Sequence, residues 1–130
     1  VNMAERKTDN GNKKYEHSGL NSEQLTNFAE MIIGYSETEK PYLQAEYSLE
    51  MMARELNITR QNISQTLNEK IGKNFYQLIN EYRVSEFKSL LKNPKYSHIT
   101  FLGLAFEAGF NSKSSFYRVF KEITGETPTE

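Results

Sequence analysis

The sequence predicts an all-α fold, and three observations predict it. Apolar residues recur at helical spacing in every segment after residue 20, and no useful length shows the alternation of a half-buried strand. Candidate helices open on Ser, Thr or Asn and close on Gly, Asn or a nearby Pro. One pattern of helix, tight turn and second helix occurs twice, at Ser48–Gly72 and Thr100–Gly125.

Residues 1–20 are polar, rich in Lys, Asn and Gly, and lack apolar periodicity, so they read as a flexible linker or tail. From Asn21 or Ser22 a helix begins. Leu25, Phe28, Ala29, Ile32 and Ile33 follow the i, i+3, i+4, i+7, i+8 rule, and Pro41 sets its end near Glu39. Tyr42 to Tyr47 reads as a short connection. Ser48 then caps a helix whose buried stripe is Leu49, Met52, Ala53 and Leu56. Asn57 tolerates the left-handed conformation a tight helix end needs. Thr59 caps the next helix, Arg60 to about Lys70, which buries Ile63 and Leu67 before Gly72 ends it. Residues 74–91 form the longest candidate helix. Its stripe runs through Phe75, Leu78, Ile79 and Tyr82, then Val84, Phe87, Leu90 and Leu91, and Pro94 marks its end. Lys95 to Ile99 reads as a loop. Thr100 caps a fifth helix ending at Gly109. Ser112 caps a sixth, with Phe116, Val119, Phe120 and Ile123 inward and Gly125 as its stop. About seven helical segments are expected.

The two copies align closely. Thr59/Ser112, Ile63/Phe116, Leu67/Phe120 and Gly72/Gly125 lie 53 apart, whereas Leu49/Phe101, Met52/Leu104, Ala53/Ala105 and Leu56/Ala108 lie 52 apart. The second turn is therefore one residue longer. Two short helices joined this way form a helix-turn-helix, whose second helix can enter a DNA major groove. The organisation expected is helix-turn-helix one over about 48–72, a connecting helix over about 74–91, and helix-turn-helix two over about 100–125. An extra N-terminal helix precedes them within one domain, 21–130.

Composition narrows the function. There is no cysteine, hence no disulfide and no thiolate chemistry. The lack of cysteine fits a reducing cytoplasm, and no apolar run is long enough for a transmembrane helix or signal peptide, so a cytoplasmic location is expected. Histidine occurs only at His17 and His98. No Gly-rich phosphate loop, HExxH pattern or nucleophile elbow appears, so no catalytic residue, metal site or cofactor is expected. The net charge of -1 hides an asymmetry. Residues 21–56 hold two Lys/Arg and seven Asp/Glu, whereas residues 57–130 hold ten and seven. The positive balance falls on the part with both second helices, where phosphate contacts would form.

In the first of these helices, Ile63 and Leu67 face inward and Gln61, Ser64, Gln65 and Asn68 share the outer face. Gln and Asn amides match the adenine edge in the major groove. Thr59 and Arg60, at the helix start, suit phosphates. In the second, Ser112 caps the helix and the outward residues include Lys113, Ser114, Tyr117, Arg118, Lys121 and Glu122. Arg118 can fork onto guanine O6 and N7. Outward polar residues on an amphipathic helix are usually only solvated, and the aromatics of the stripes belong to a core. The paired motif raises DNA contact above that default.

The region from about Tyr42 to Thr129 resembles the C-terminal DNA-binding domain of AraC/XylS-type bacterial transcription regulators. The resemblance is carried by Leu56-Asn57-Ile58-Thr59, Asn74-Phe75, Ile79-Asn80, Arg83-Val84 and Leu90-Leu91. Ala105 to Ser112, AFEAGFNS, match most closely, followed by Ser115 to Lys121 and by Gly125-Glu126-Thr127-Pro128. It implies that the two recognition helices lie in successive major grooves of double-stranded DNA. The base readers carried over are Gln61, Ser64 and Gln65, then Lys113, Ser114 and Arg118. Arg83 is implied to brace the fold. RNA polymerase is an implied further partner. The resemblance also implies that the parent protein carries a separate sensor, dimerisation or membrane region. The family pattern continues past the Pro with an aromatic-Arg pair, so the sequence ending at Glu130 is expected to be a piece of a longer chain. The competing function is a protein-docking module, in which the acidic first-helix region meets a basic surface; Glu37, Glu39, Glu46 and Glu50 read as a solvated acidic surface.

Overall fold

The structure, a computed structural model, describes residues 19–129. Almost all of the expected tail over 1–20, with His17, and the last residue Glu130 lie outside the described residues. Among the described residues there are six α-helices and no strand. They are α1 (Ser22–Glu39), α2 (Leu49–Leu56), α3 (Arg60–Thr66), α4 (Phe75–Lys92), α5 (Phe101–Glu107) and α6 (Lys113–Thr124). The chain divides into two compact units. Among the described residues, one holds 19–39 and Ser48–Phe75; the other holds Lys40–Tyr47 and 76–129.

Local chemistry sets the helix ends. Asn21 and Gln24 form a reciprocal capping box at the start of α1: Asn21 Oδ1 accepts from the Gln24 N–H at 2.8 Å, and Gln24 Oε1 accepts from the Asn21 N–H at 2.9 Å. Ser48 accepts from the Met51 N–H at 3.2 Å, Thr59 from Asn62 at 3.1 Å, Thr100 from Gly103 at 3.0 Å and Ser112 from Ser115 at 3.1 Å. Each such cap is worth about 1 kcal/mol. Asn57 is left-handed at φ 57°, and the Ile58 N–H donates back to the Ala53 carbonyl at 3.1 Å. The same closure recurs one motif later, where Phe110 N–H donates to the Ala105 carbonyl at 3.1 Å. The repeat seen in the sequence is thus a repeat of backbone hydrogen bonds.

In the first unit, α1 and α2 both pack against α3. Ile32, Met52, Ile58, Ile63 and Leu67 are buried. Ser36 is buried with them, and its hydroxyl has no hydrogen-bond partner. The single helix expected over 60–70 is two pieces. After Thr66 the chain widens into a π-helical segment, Leu67–Ile71, closed by Gly72 at φ 80°.

In the second unit Phe87 of α4 is the hub. Its ring lies 4.8 Å from Phe116 and 5.1 Å from Phe101, edge-on to the latter. Val84, Leu90, Leu104, Ala105, Ala108, Phe110 and Val119 complete the buried cluster. Burying a ring of this size contributes about 1.5–3 kcal/mol. The ends of the predicted stripes are not buried: Leu91 is 50% exposed and Ile123 is 39% exposed. Both stand in or near the last turn of their helices.

The connection Tyr42–Tyr47 belongs to a strap, Lys40–Tyr47, that docks on α4. Lys40, just ahead of Pro41, is left-handed at φ 49°. A 3₁₀ turn, Pro41–Leu43, follows. Tyr42 stacks on Tyr82 at 5.3 Å, and Lys40 pairs with Glu86 at 3.2 Å. Arg83 fastens the strap: Nε donates to the Tyr42 carbonyl at 2.7 Å and Nη2 to the Gln44 carbonyl at 2.8 Å. Burial draws its pKa below the ordinary arginine value, opposed by nearby Glu46. A bracing role for Arg83 follows from these bonds. A second 3₁₀ turn, Pro94–Tyr96, occupies part of the loop expected over 95–99.

Candidate nucleic-acid interface

Each compact unit contains one helix-turn-helix second helix, α3 in the first and α6 in the second. At the start of α3 the Thr59 oxygen accepts from the Asn62 backbone, which leaves its O–H proton free to donate outward. Thr59, Arg60, Gln61 and Asn68 are exposed, and Ser64 is half-buried. Arg60 Nη1 donates to Glu50 Oε2 at 3.2 Å, and both side chains are more than half exposed. Such an exposed pair adds little to stability.

Gln65 departs from the expected outer face, for it is only 3% exposed. The sequence supplied one inward stripe, Ile63 and Leu67, and position 65 lies about 200° round the helix from Ile63. That face is covered because α3 packs against α1 as well as α2. Thr66 is buried too, its hydroxyl donating to the Asn62 carbonyl at 2.7 Å. Gln65 is therefore a core residue, not a groove-facing one.

On α6, Lys113, Ser114, Tyr117 and Arg118 are exposed and the capping Ser112 is half-buried. The Lys113 ammonium sits 5.6 Å from the centre of the Tyr117 ring, one turn on. Arg118 is not free in solvent. Its Nη2 donates to the Tyr76 hydroxyl at 3.4 Å, and its Nε lies 4.0 Å from Glu122 Oε2. The Tyr76 hydroxyl in turn donates to Glu122 Oε1 at 3.3 Å. Glu122 was legible as an i+4 partner of Arg118. Tyr76 was not, since it enters from α4, 42 positions earlier. Among the described residues no group of three His, Cys, Asp or Glu is placed to hold a metal ion, and no helix is long and apolar enough to cross a membrane.

Two capped helix-turn-helix pairs, each with a polar face on its second helix, define a helix-turn-helix protein. A family profile described as a helix-turn-helix domain matches residues 52–130. The chain belongs to that family, the AraC-type helix-turn-helix domains, and carries the DNA-binding domain of a transcriptional regulator. It is 27% identical over 89 residues to an uncharacterized HTH-type transcriptional regulator of Staphylococcus aureus (strain COL), a match covering 68% of this chain and 12% of that protein. The chain thus spans only a small part of that relative's length. A solved structure of a protein of unknown function from Listeria innocua superposes with a TM-score of 0.63 at 25% identity, covering 77% of this chain and 90% of that one.

Proposed function

We propose that this domain binds double-stranded DNA sequence-specifically, with α3 and α6 reading two successive major-groove segments. The observation that carries the reading is the pair of like helix starts, each capped by a side chain and each turning a polar row to solvent. The rows differ in chemistry. Gln61, Ser64 and Asn68 offer hydroxyl and amide groups, and the amides suit adenine; Lys113, Ser114 and Arg118 offer cations that suit guanine. Thr59, Arg60 and Ser112 lie where phosphates approach a helix N-terminus. Tyr117, beside Lys113, lines the edge of the same face. RNA polymerase contact and a separate sensor, dimerisation or membrane region belong to the proposal for the parent protein.

The test is selection of sites from a random duplex library, followed by titration at two salt concentrations. Two half-motifs about one helical turn apart support readout by both helices. A single half-motif restricts base reading to one helix. Weak, salt-sensitive binding to any duplex with no enriched site refutes sequence-specific reading by this domain alone and leaves protein docking as its role.

A further inference from the structure

We propose that Tyr76 and Glu122 are positioning residues for Arg118, which make it a reader of bases rather than a clamp on phosphates. The proposal rests on α6 acting as a recognition helix.

The three groups close a triangle. Arg118 Nη2 donates to the Tyr76 hydroxyl, the hydroxyl donates in turn to Glu122 Oε1, and Glu122 Oε2 faces Arg118 Nε. The hydroxyl is thus used once as acceptor and once as donor, in the only sense that satisfies both neighbours. Tyr76 belongs to the first turn of α4, so one corner of the triangle is anchored on a different helix from the other two.

A guanidinium is a rigid planar fork with two useful edges. Nε and one proton of Nη2 form one edge; Nη1 and the other proton of Nη2 form the end. Here the Nε side is turned toward Tyr76 and Glu122. The end therefore points away from them, with its paired donors intact, and Arg118 is about half exposed. That end matches the O6 and N7 acceptors of guanine.

Charge acts in the same direction. A lone exposed arginine gains from any phosphate through counterion release. With Glu122 beside it, the local charge is near zero, and a phosphate approaching Arg118 also meets a carboxylate. A guanine edge carries no net charge and meets no such repulsion. Glu122 thus lowers indiscriminate attraction and spares specific contact. It is the unfavourable element that specificity by difference requires.

The experiment uses the full 130-residue chain. Site selection and salt titration are run for the parent sequence and for Arg118→Ala, Glu122→Gln and Tyr76→Phe, with thermal unfolding of each. Arg118→Ala should erase base preference at one position, a loss on the order of tenfold. Glu122→Gln should weaken preference at that same position by about threefold or more, while random-duplex binding strengthens and its dependence on log salt steepens by about 1, as Arg118 turns to phosphate. Tyr76→Phe should weaken the same position without changing the salt slope. All three should keep the parent's unfolding midpoint. If Arg118→Ala erases a preference that both other variants retain, the positioning proposal falls and Arg118 stands as an unaided reader. A preference lost only together with a lowered unfolding midpoint also overturns positioning. If Arg118→Ala alters no position of an otherwise enriched site, the reading of Arg118 itself falls and takes the proposal with it.

Discussion

Gly109→Ala is the substitution that tests the packing of the second unit most severely. Gly109 has φ 107°, a conformation side chains rarely adopt. A Cβ there would press into the Tyr42 carbonyl oxygen, and would sit 2.9 Å from Arg83 Nε and 3.2 Å from Leu43 Cα. Two of these three neighbours are backbone atoms of the strap, which cannot swing aside as a side-chain tip can. The backbone conformation alone costs about 1–3 kcal/mol. Relieving the contact requires the strap to lift, and lifting it breaks the 2.7 Å bond from Arg83 to the Tyr42 carbonyl. A hydrogen bond to a charged group is worth about 1.5–3 kcal/mol, and more is lost when its buried partner is stranded. The sum is about 2.5–6 kcal/mol, a large share of the roughly 5–15 kcal/mol that holds an ordinary domain. Urea unfolding followed by circular dichroism measures it, with Arg83→Met beside it as a second way to free the strap. A loss below about 1 kcal/mol in Gly109→Ala, with an unchanged m-value, would refute the view that the strap is pinned between Arg83 and Gly109.

Four further outcomes are expected. Gln65→Ala should destabilise the first unit by about 1–3 kcal/mol and leave base preference intact, whereas Gln61→Ala should alter preference and leave stability intact; unfolding and site selection on both variants separate the two roles. Thr59→Ala and Ser112→Ala should each cost about 1 kcal/mol in denaturant unfolding, because each strands one backbone N–H at a helix start. Ser36→Ala should be neutral or stabilising by about 0.5 kcal/mol, since it removes a buried hydroxyl without a partner and favours helix; a loss above about 1 kcal/mol in the same assay would contradict that. Tyr35 should titrate above its ordinary 10.0, because burial, its bond to Glu55 and the charges of Glu55 and Glu39 disfavour the phenolate. The folded state holds this proton more tightly, so its share of stability is complete below pH 10 and is lost as pH rises through the raised value. NMR titration of the Tyr35 ring in the parent and in Glu55→Gln checks it, the variant moving back toward 10.0.

The sequence and the structure agree wherever a feature is written into a few neighbouring residues. Ser48, Thr59, Thr100 and Ser112 cap the helices they were expected to cap, because a hydroxyl two or three residues before a backbone N–H needs nothing else to find it. Asn57 takes the left-handed turn for a similarly local reason. Phe87 and Phe116 are buried because their stripes are strong enough to leave one orientation open. Ile123 and Leu91 break the rule near helix ends, where helical periodicity continues but the neighbours that would cover it do not.

Gln65 shows where periodicity stops being informative. A stripe tells which face of a helix is most apolar, not how many faces are covered. The extra helix α1 has no counterpart in the repeated motif, so nothing in the repeat announced that it would bury a further side of α3. Arg83 and Tyr76 show the same boundary from the polar side. Their partners lie 41 and 42 positions away, and the carbonyl of Tyr42 leaves no mark in the sequence as an acceptor. What this chain determined by itself was the set of helices, their caps and their doubling, since these depend on backbone hydrogen bonds and side chains within a turn or two. What only tertiary structure decided was which polar residue is core and which arginine is held, since burial and side-chain direction depend on whatever distant element arrives to cover them.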